Sequence, residues 1–280
     1  MNDVGIEYQT VLGCPPVEFV HLAADLGCHA ISMKARTGPY NAANPYGYGG
    51  FSFLEDAGSR RQMAAVLKER AVAITLAEGF VVVPGADLTD DPASLDVMWE
   101  LGARRANVVT MDADLGRSFD QFAVFAEVAA DRGMQTTLEF AKSLALSDLE
   151  TAVAAVRHVG RADFRLLIDT MHLVRSGSTA ADLAALDASM FGYVQLSDST
   201  LEQRNPAYRD DSSDRIVPGE GELPLVDIML ALPEGLPVGV EVPMRSRAAA
   251  GVPARTCARL AVEGGRAVLA EVRTKRCASA

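Results

Sequence analysis

Short apolar, β-favouring runs alternate along the chain with longer stretches whose apolar positions recur at helical spacing. Residues 5–11 read as a first strand, and Pro15 and Pro16 then open a helix through Leu26 that Gly27 stops. Residues 30–33 are a second strand, 60–70 a helix, 72–76 a third strand, 94–101 a helix and 106–110 a fourth strand. A helix over 119–132 stops at Gly133, and 135–140 is a fifth strand. Residues 147–159 predict a helix with Ser147 as N-cap and Glu150 at capping-box spacing. A sixth strand over 164–169, a helix over 179–186 and a seventh strand over 192–197 follow. A short helix over 225–232, an eighth strand over 238–242 and a closing helix over 249–272 complete the pattern.

Eight apolar strands separated by helices fit a buried parallel sheet. Closing that sheet gives an α/β fold of the (β/α)8 barrel type. It would form one domain over residues 1–273, with 274–280 expected to fray. The rival is an open doubly wound sheet, but no GxGxxG or Walker-type loop follows any strand, so its nucleotide-binding form lacks a fingerprint. Residues 38–58 hold seven glycines or prolines and the aromatics Tyr40, Tyr46, Tyr48, Phe51 and Phe53. They suggest a long loop over one barrel face, serving as a lid or as a subunit contact.

Composition narrows the classes. A chain of 280 residues, 49% hydrophobic, suits one such barrel. A net charge of -11 with no run of Lys or Arg repels phosphate backbones, so no nucleic-acid partner is expected. Cys14, Cys28, Cys257 and Cys277 form no CxxC pair, which argues against structural zinc and disulfides. The start lacks a signal-peptide pattern, and no apolar stretch reaches membrane-spanning length. The expectation is a reduced, soluble, cytoplasmic protein with no membrane partner.

Polar residues gather where the later strands end, at Glu139, Asp169, Gln195 through Asp198, and Glu241. In a parallel barrel these ends share one rim, where active sites of such barrels lie. Three carboxylates pointing into one rim repel, and a divalent cation is the simplest way to hold Glu139, Asp169 and Glu241 together. Taken singly, a strand-end carboxylate is more often a helix cap or a surface ion pair.

The motifs LEF, IDTMHLVRSG, YVQLSDS, VPGEGELP and VEVP, from Glu139 to Glu241, resemble the xylose-isomerase-like TIM-barrel superfamily in its sugar phosphate isomerase/epimerase branch. The resemblance covers nearly the whole chain. It implies Glu139, Asp169, Gln195 and Glu241 as metal ligands, with Glu139 and Glu241 also the catalytic acid/base pair. It implies substrate contacts for His172 and Arg215. Glu220, in the Gly219-Glu220-Gly221 turn, is a further substrate-binding candidate, although a tight turn needs only the glycines. The seventh-strand ligand is commonly histidine, and here Gln195 stands in its place. An amide oxygen is neutral and harder than imidazole, which tilts the cofactor toward one Mn²⁺ or Mg²⁺. A homodimer or homotetramer is the assembly the resemblance implies.

The chemistry that follows is proton transfer next to a carbonyl on a small sugar-like keto substrate, through an enediolate. A dehydratase of the 3-dehydroshikimate type is the second reading, and a non-catalytic sugar-binding barrel the third. The DNA-repair endonuclease branch, whose sites resemble histidine-rich zinc clusters, fits poorly with four histidines and an acidic chain. His21, His29 and His158 read as structural, and Glu7 and Glu78 more as packing or pairing than as site residues.

Overall fold

Eight parallel strands close on themselves in the computed structural model, which describes residues 4–38 and 45–279. They are β1 (Val4–Ile6), β2 (Ala30–Lys34), β3 (Ala73–Val82), β4 (Arg105–Thr110), β5 (Gln135–Leu138), β6 (Phe164–Asp169), β7 (Phe191–Leu196) and β8 (Val238–Val240). Each pairs with the next along the chain. β1 closes the ring, pairing Ile6 with Ile31 on β2 and Val4, Gly5 and Ile6 with Val238, Gly239 and Val240 on β8. A closed ring has no edge, so the open doubly wound sheet is excluded.

The main outer helices are α1 (Pro16–Asp25), α2 (Ala57–Arg70), α3 (Pro92–Glu100), α4 (Leu115–Ala130) and α5 (Leu149–Val159). After β6 come the short α6 (Thr170–Arg175) and α7 (Ala180–Ala184), then α8 (Tyr208–Ser212), α9 (Leu225–Ala231), α10 (Arg245–Ala249) and the long α11 (Ala254–Ser279). Their apolar faces cover the outward strand residues, giving one large core that includes Ile6, Ile31, Leu166, Ile168 and Val240. No helix among the described residues is long and apolar enough to cross a membrane.

Several boundaries differ from the sequence reading. β1 ends at Ile6, and residues 8–11 form a 3₁₀ turn. Ser32 Oγ accepts from Tyr8 N at 2.9 Å, and Thr10 Oγ1 donates to Val240 O at 2.8 Å, so side chains take over from the ladder. β3 runs on to Val82 where the apolar run ends at Leu76; the register shifts between Ala77 and Phe80, around Gly79 at φ +99°. The cap of α5 is Asp148, which accepts from Thr151 N at 2.8 Å, and not Ser147. α11 continues to Ser279, through the segment expected to fray. Arg276 Nη2 anchors it by donating to Met229 O at 2.8 Å and Leu232 O at 2.7 Å, beside the end of α9.

Strand alternation builds the site. Leu76, Leu167 and Tyr193 form a small buried cluster of their own, apart from the main core. Two residues on, the same strand faces present Glu78, Asp169 and Gln195. Glu241 likewise follows Gly239 by two. Gly239 permits a close approach, because a Cβ there would lie 1.5 Å from Glu7 Oε1.

Candidate functional site

Asp169 is the last residue of β6 and the N-cap of α6, its Oδ1 accepting from His172 N at 2.9 Å. The cap uses only Oδ1, and Oδ2 faces the Arg215 guanidinium, so a cation bound at Asp169 would share Oδ2 with Arg215. Glu139 and Glu241 each lie one residue past a ladder, with Glu139 N donating to Val108 O and Glu241 N to Leu196 O, both at 3.1 Å. These bonds hold both backbones in strand geometry and aim the carboxylates at the rim.

Glu139, Asp169 and His172 each offer a donor atom within 4.8 Å of the others. His172 Nε2 lies 3.7 Å from Glu139 Oε1. Asn107 Nδ2 donates to Glu139 Oε2 at 2.7 Å, and Thr137 Oγ1 donates to Asn107 Oδ1 at 3.0 Å, which locks Glu139 from below. His172 sits 2.6 Å from the Tyr208 hydroxyl through Nδ1. Arg215 Nη2 donates to His172 Nε2 at 3.3 Å, so the ring proton belongs on Nδ1, facing Tyr208. Burial lowers the imidazole to about 4, which keeps the ring neutral at physiological pH and fit to act as a ligand.

Arg215 is buried among these groups. Its Nη1 donates to Asp169 Oδ2 at 2.5 Å and to Ser197 Oγ and Glu241 O at 3.1 Å. Its Nη2 lies 3.0 Å from Glu241 Oε2, and its Nε donates to Ser212 O at 3.1 Å. The guanidinium thus bridges Asp169 and Glu241 as a resident cation. Burial would raise the Asp169 carboxyl, but the Arg215 charge overrides it and holds the group below its usual range.

Gln195 is fully buried on β7. Its Nε2 donates to Glu78 Oε1 at 3.0 Å and, more weakly, to Glu241 Oε1 at 3.4 Å. Gln195 Oε1, Glu78 Oε2 and Glu7 Oε2 are buried with no hydrogen-bond partner among the described residues. Burial raises Glu7 and Glu139 well above the usual carboxylate range, raises Glu78, and brings Glu241 to about 8 against the pull of Arg215.

The donor chemistry fits a divalent cation. Two carboxylates and a neutral imidazole nitrogen converge, and an orphaned amide oxygen lies on the same floor. Of the residues the sequence points to, Glu139, Asp169, His172, Arg215, Gln195 and Glu241 form one connected group. Glu220 does not join it. It is exposed and pairs with Arg247 at 3.2 Å, because the Asp198 carboxylate accepts from Gly219 N, Gly221 N and Leu223 N and turns the loop outward.

The structure adds Tyr208 to the site and brings in Glu78, which the sequence reads more as packing or pairing. Glu78 belongs to the floor, and its signal was the inward alternation from Leu76. Tyr208 reaches His172 from the short helix α8, too short to give a periodic signal. The remaining histidines bond elsewhere: His21 to Arg70, His29 to Ala71 O and His158 to Asp120. Phe53 is a core residue and Phe51 packs edge-on to Tyr8, so these two brace the barrel body. The Tyr46 hydroxyl donates to Val252 O at 2.8 Å, and Tyr40 lies outside the described residues.

A family model described as a xylose isomerase-like TIM barrel matches residues 18–258. Curated protein sequences include no match. Among solved structures, an IOLI protein with a bound zinc atom superposes with a TM-score of 0.77 at 18% identity, covering 96% of this chain and 99% of that one. A D-psicose 3-epimerase from Clostridium cellulolyticum H10 gives 0.68 at 17% identity, with 97% and 98% covered. A probable 3-DHS dehydratase from Bacillus anthracis gives 0.69 at 13% identity, with 93% and 97% covered. At these identities the likeness is one of fold.

Proposed function

Because the chain belongs to the xylose isomerase-like TIM-barrel family, we propose that it is a divalent-metal-dependent isomerase or epimerase acting on a small sugar-like keto substrate. The observation that carries this reading is the convergence of Glu139, buried Asp169 and neutral His172, with Glu139, His172 and Glu241 lining one cavity. Glu139, Asp169 and His172 would hold the cation, with Gln195 and Glu241 bordering the same floor. Hard oxygen donors in the majority favour Mn²⁺ or Mg²⁺. When bound, the cation supplies charge stabilisation for an enediolate.

The chain's own groups divide the remaining work. Glu139 and Glu241 stand on strands three places apart in the ring, with the cavity between them. One takes the proton from the carbon next to the carbonyl. The other returns a proton to that carbon from the other face, which epimerises it, or to the neighbouring carbon, which isomerises the substrate. General acid–base help of this kind is worth roughly 10²- to 10⁴-fold. A carboxyl raised to about 8 holds or releases a proton near neutral pH, as such a role needs. Arg215 keeps Asp169 ionised and orients Glu241.

The test is solvent deuterium exchange into keto sugars by the Mn²⁺-loaded protein, followed by NMR. Exchange next to the carbonyl without loss of water supports the reading. An enone absorbance with loss of water assigns the chain to lyases instead. Sugar binding with no exchange and no elimination refutes catalysis.

A further inference from the structure

We propose that the ligand of this cavity carries an anionic group, a carboxylate or a phosphate, received at the mouth by Lys34 and Arg209. The proposal rests on the catalytic reading only in calling that ligand a substrate. The protein carries a net charge of -11, so its average field repels anions. The cavity of about 870 Å³ gathers cations against that average, with Lys34, Arg36, Arg209, Arg215 and Arg245 lining it beside the carboxyls Glu78, Glu139, Asp210 and Glu241.

Three of these cations are committed. Arg36 pairs with Asp91 at 2.7 Å, Arg245 faces Asp210 at 3.6 Å, and Arg215 is held between Asp169 and Glu241. The side chains of Lys34 and Arg209 line the cavity without a hydrogen bond or ion pair among the described residues; Arg209 is bonded only through its carbonyl, which accepts from Ser213 N and Oγ. Lys34 is the last residue of β2 and is half-buried, its stem passing 3.8 Å from where a Cβ of Gly79 would stand. Arg209 is exposed on α8, next to Tyr208, which anchors that short helix to His172.

The two cations come from β2 and from the loop after β7, so they border one opening from separate elements. The Lys34 charge also acts on Glu78 and Glu241 and lowers both. The cavity is therefore acidic at its floor, where Lys34 offsets part of the charge, and Lys34 and Arg209 add cationic side chains that no carboxylate holds in an ion pair. A keto-diol end bound at the floor leaves an anionic end facing the mouth, which orients the molecule. A neutral ketose makes no use of that polarity.

The experiment is equilibrium binding by calorimetry at low ionic strength with three probes: D-fructose, D-fructuronate and D-fructose 6-phosphate. Wild-type protein should bind at least one anionic probe about ten-fold or more tighter than D-fructose, and the tighter of the two identifies carboxylate or phosphate. Added salt should shrink the preference, as screening requires. Lys34→Gln and Arg209→Gln should each reduce it, and the double variant should abolish it. Equal or weaker binding of both anions by the wild type overturns the proposal, as does a preference that survives in the double variant. Absence of deuterium exchange would count against the catalytic reading alone, since the binding comparison requires no turnover.

Discussion

Gln195 donates through Nε2 to Glu78 Oε1 at 3.0 Å, joining the seventh barrel strand to a carboxyl on the third. The Gln195 amide thus serves as a hydrogen-bond donor in a crowded acidic floor. Gln195→Leu leaves Glu78 and Glu241 without that donor. Unfolding in urea of the metal-free variant should show a loss of about 1–3 kcal/mol, the cost of buried polar groups left unpaired. A residue that served only as a metal ligand would leave metal-free stability unchanged.

Glu7 and Gly239 make a second coupled pair. A methyl at position 239 would meet Glu7 Oε1 at 1.5 Å inside a closed ring that cannot yield easily. Gly239→Ala should cost about 1–3 kcal/mol of stability, as overpacking does. Combining it with Glu7→Ala should recover part of that loss in a double-mutant cycle. Strict additivity of the two changes would show that the contact is not the cause.

The buried Glu7 carboxyl gives a pH dependence with a definite sign. Burial, joined by the charges of Glu78 and Glu241, raises it well above its ordinary value near 4.5. The neutral form is the one the fold prefers. Its contribution is full below the unfolded value and is lost as pH rises toward the folded one. The stability of metal-free protein should therefore fall from this group as pH climbs from 5 to 8. Glu7→Gln should flatten the slope by up to about 1.4 kcal/mol per pH unit. Denaturation curves at several pH values check this, and parallel slopes for the two proteins would contradict it.

Tyr208 holds His172 through a 2.6 Å bond at Nδ1. An outer partner of this kind sets the tautomer of a ligating imidazole, and its loss costs roughly 10- to 100-fold in metal affinity. Tyr208→Phe should weaken Mn²⁺ binding within that range and leave the melting temperature of the metal-free protein nearly unchanged. Unaltered Mn²⁺ affinity would remove His172 from the donor set.

The barrel was legible because each buried parallel strand is a continuous apolar run, and eight of them alternate with helical periods. Glu139, Asp169 and Glu241 were legible because polar residues interrupt such runs at strand ends. Glu78 was hidden inside β3, whose apolar pattern breaks at Gly79, so a ten-residue strand read as a short one. Glu220 misled, because its flanking glycines follow a turn built by Asp198 from 21 residues upstream, a contact no local pattern encodes. Tyr208 acts from the five-residue helix α8 and Arg215 from the irregular segment after it, where spacing carries no information about what a side chain meets.

The most direct test titrates Mn²⁺ into metal-stripped protein and follows the free ion by electron paramagnetic resonance, comparing wild type with Asp169→Asn. One ion per chain in the wild type, with affinity at least about ten-fold weaker in the variant, is the predicted result. A wild type that leaves Mn²⁺ free, or a variant that binds it equally well, would contradict a metal centre on Glu139, Asp169 and His172.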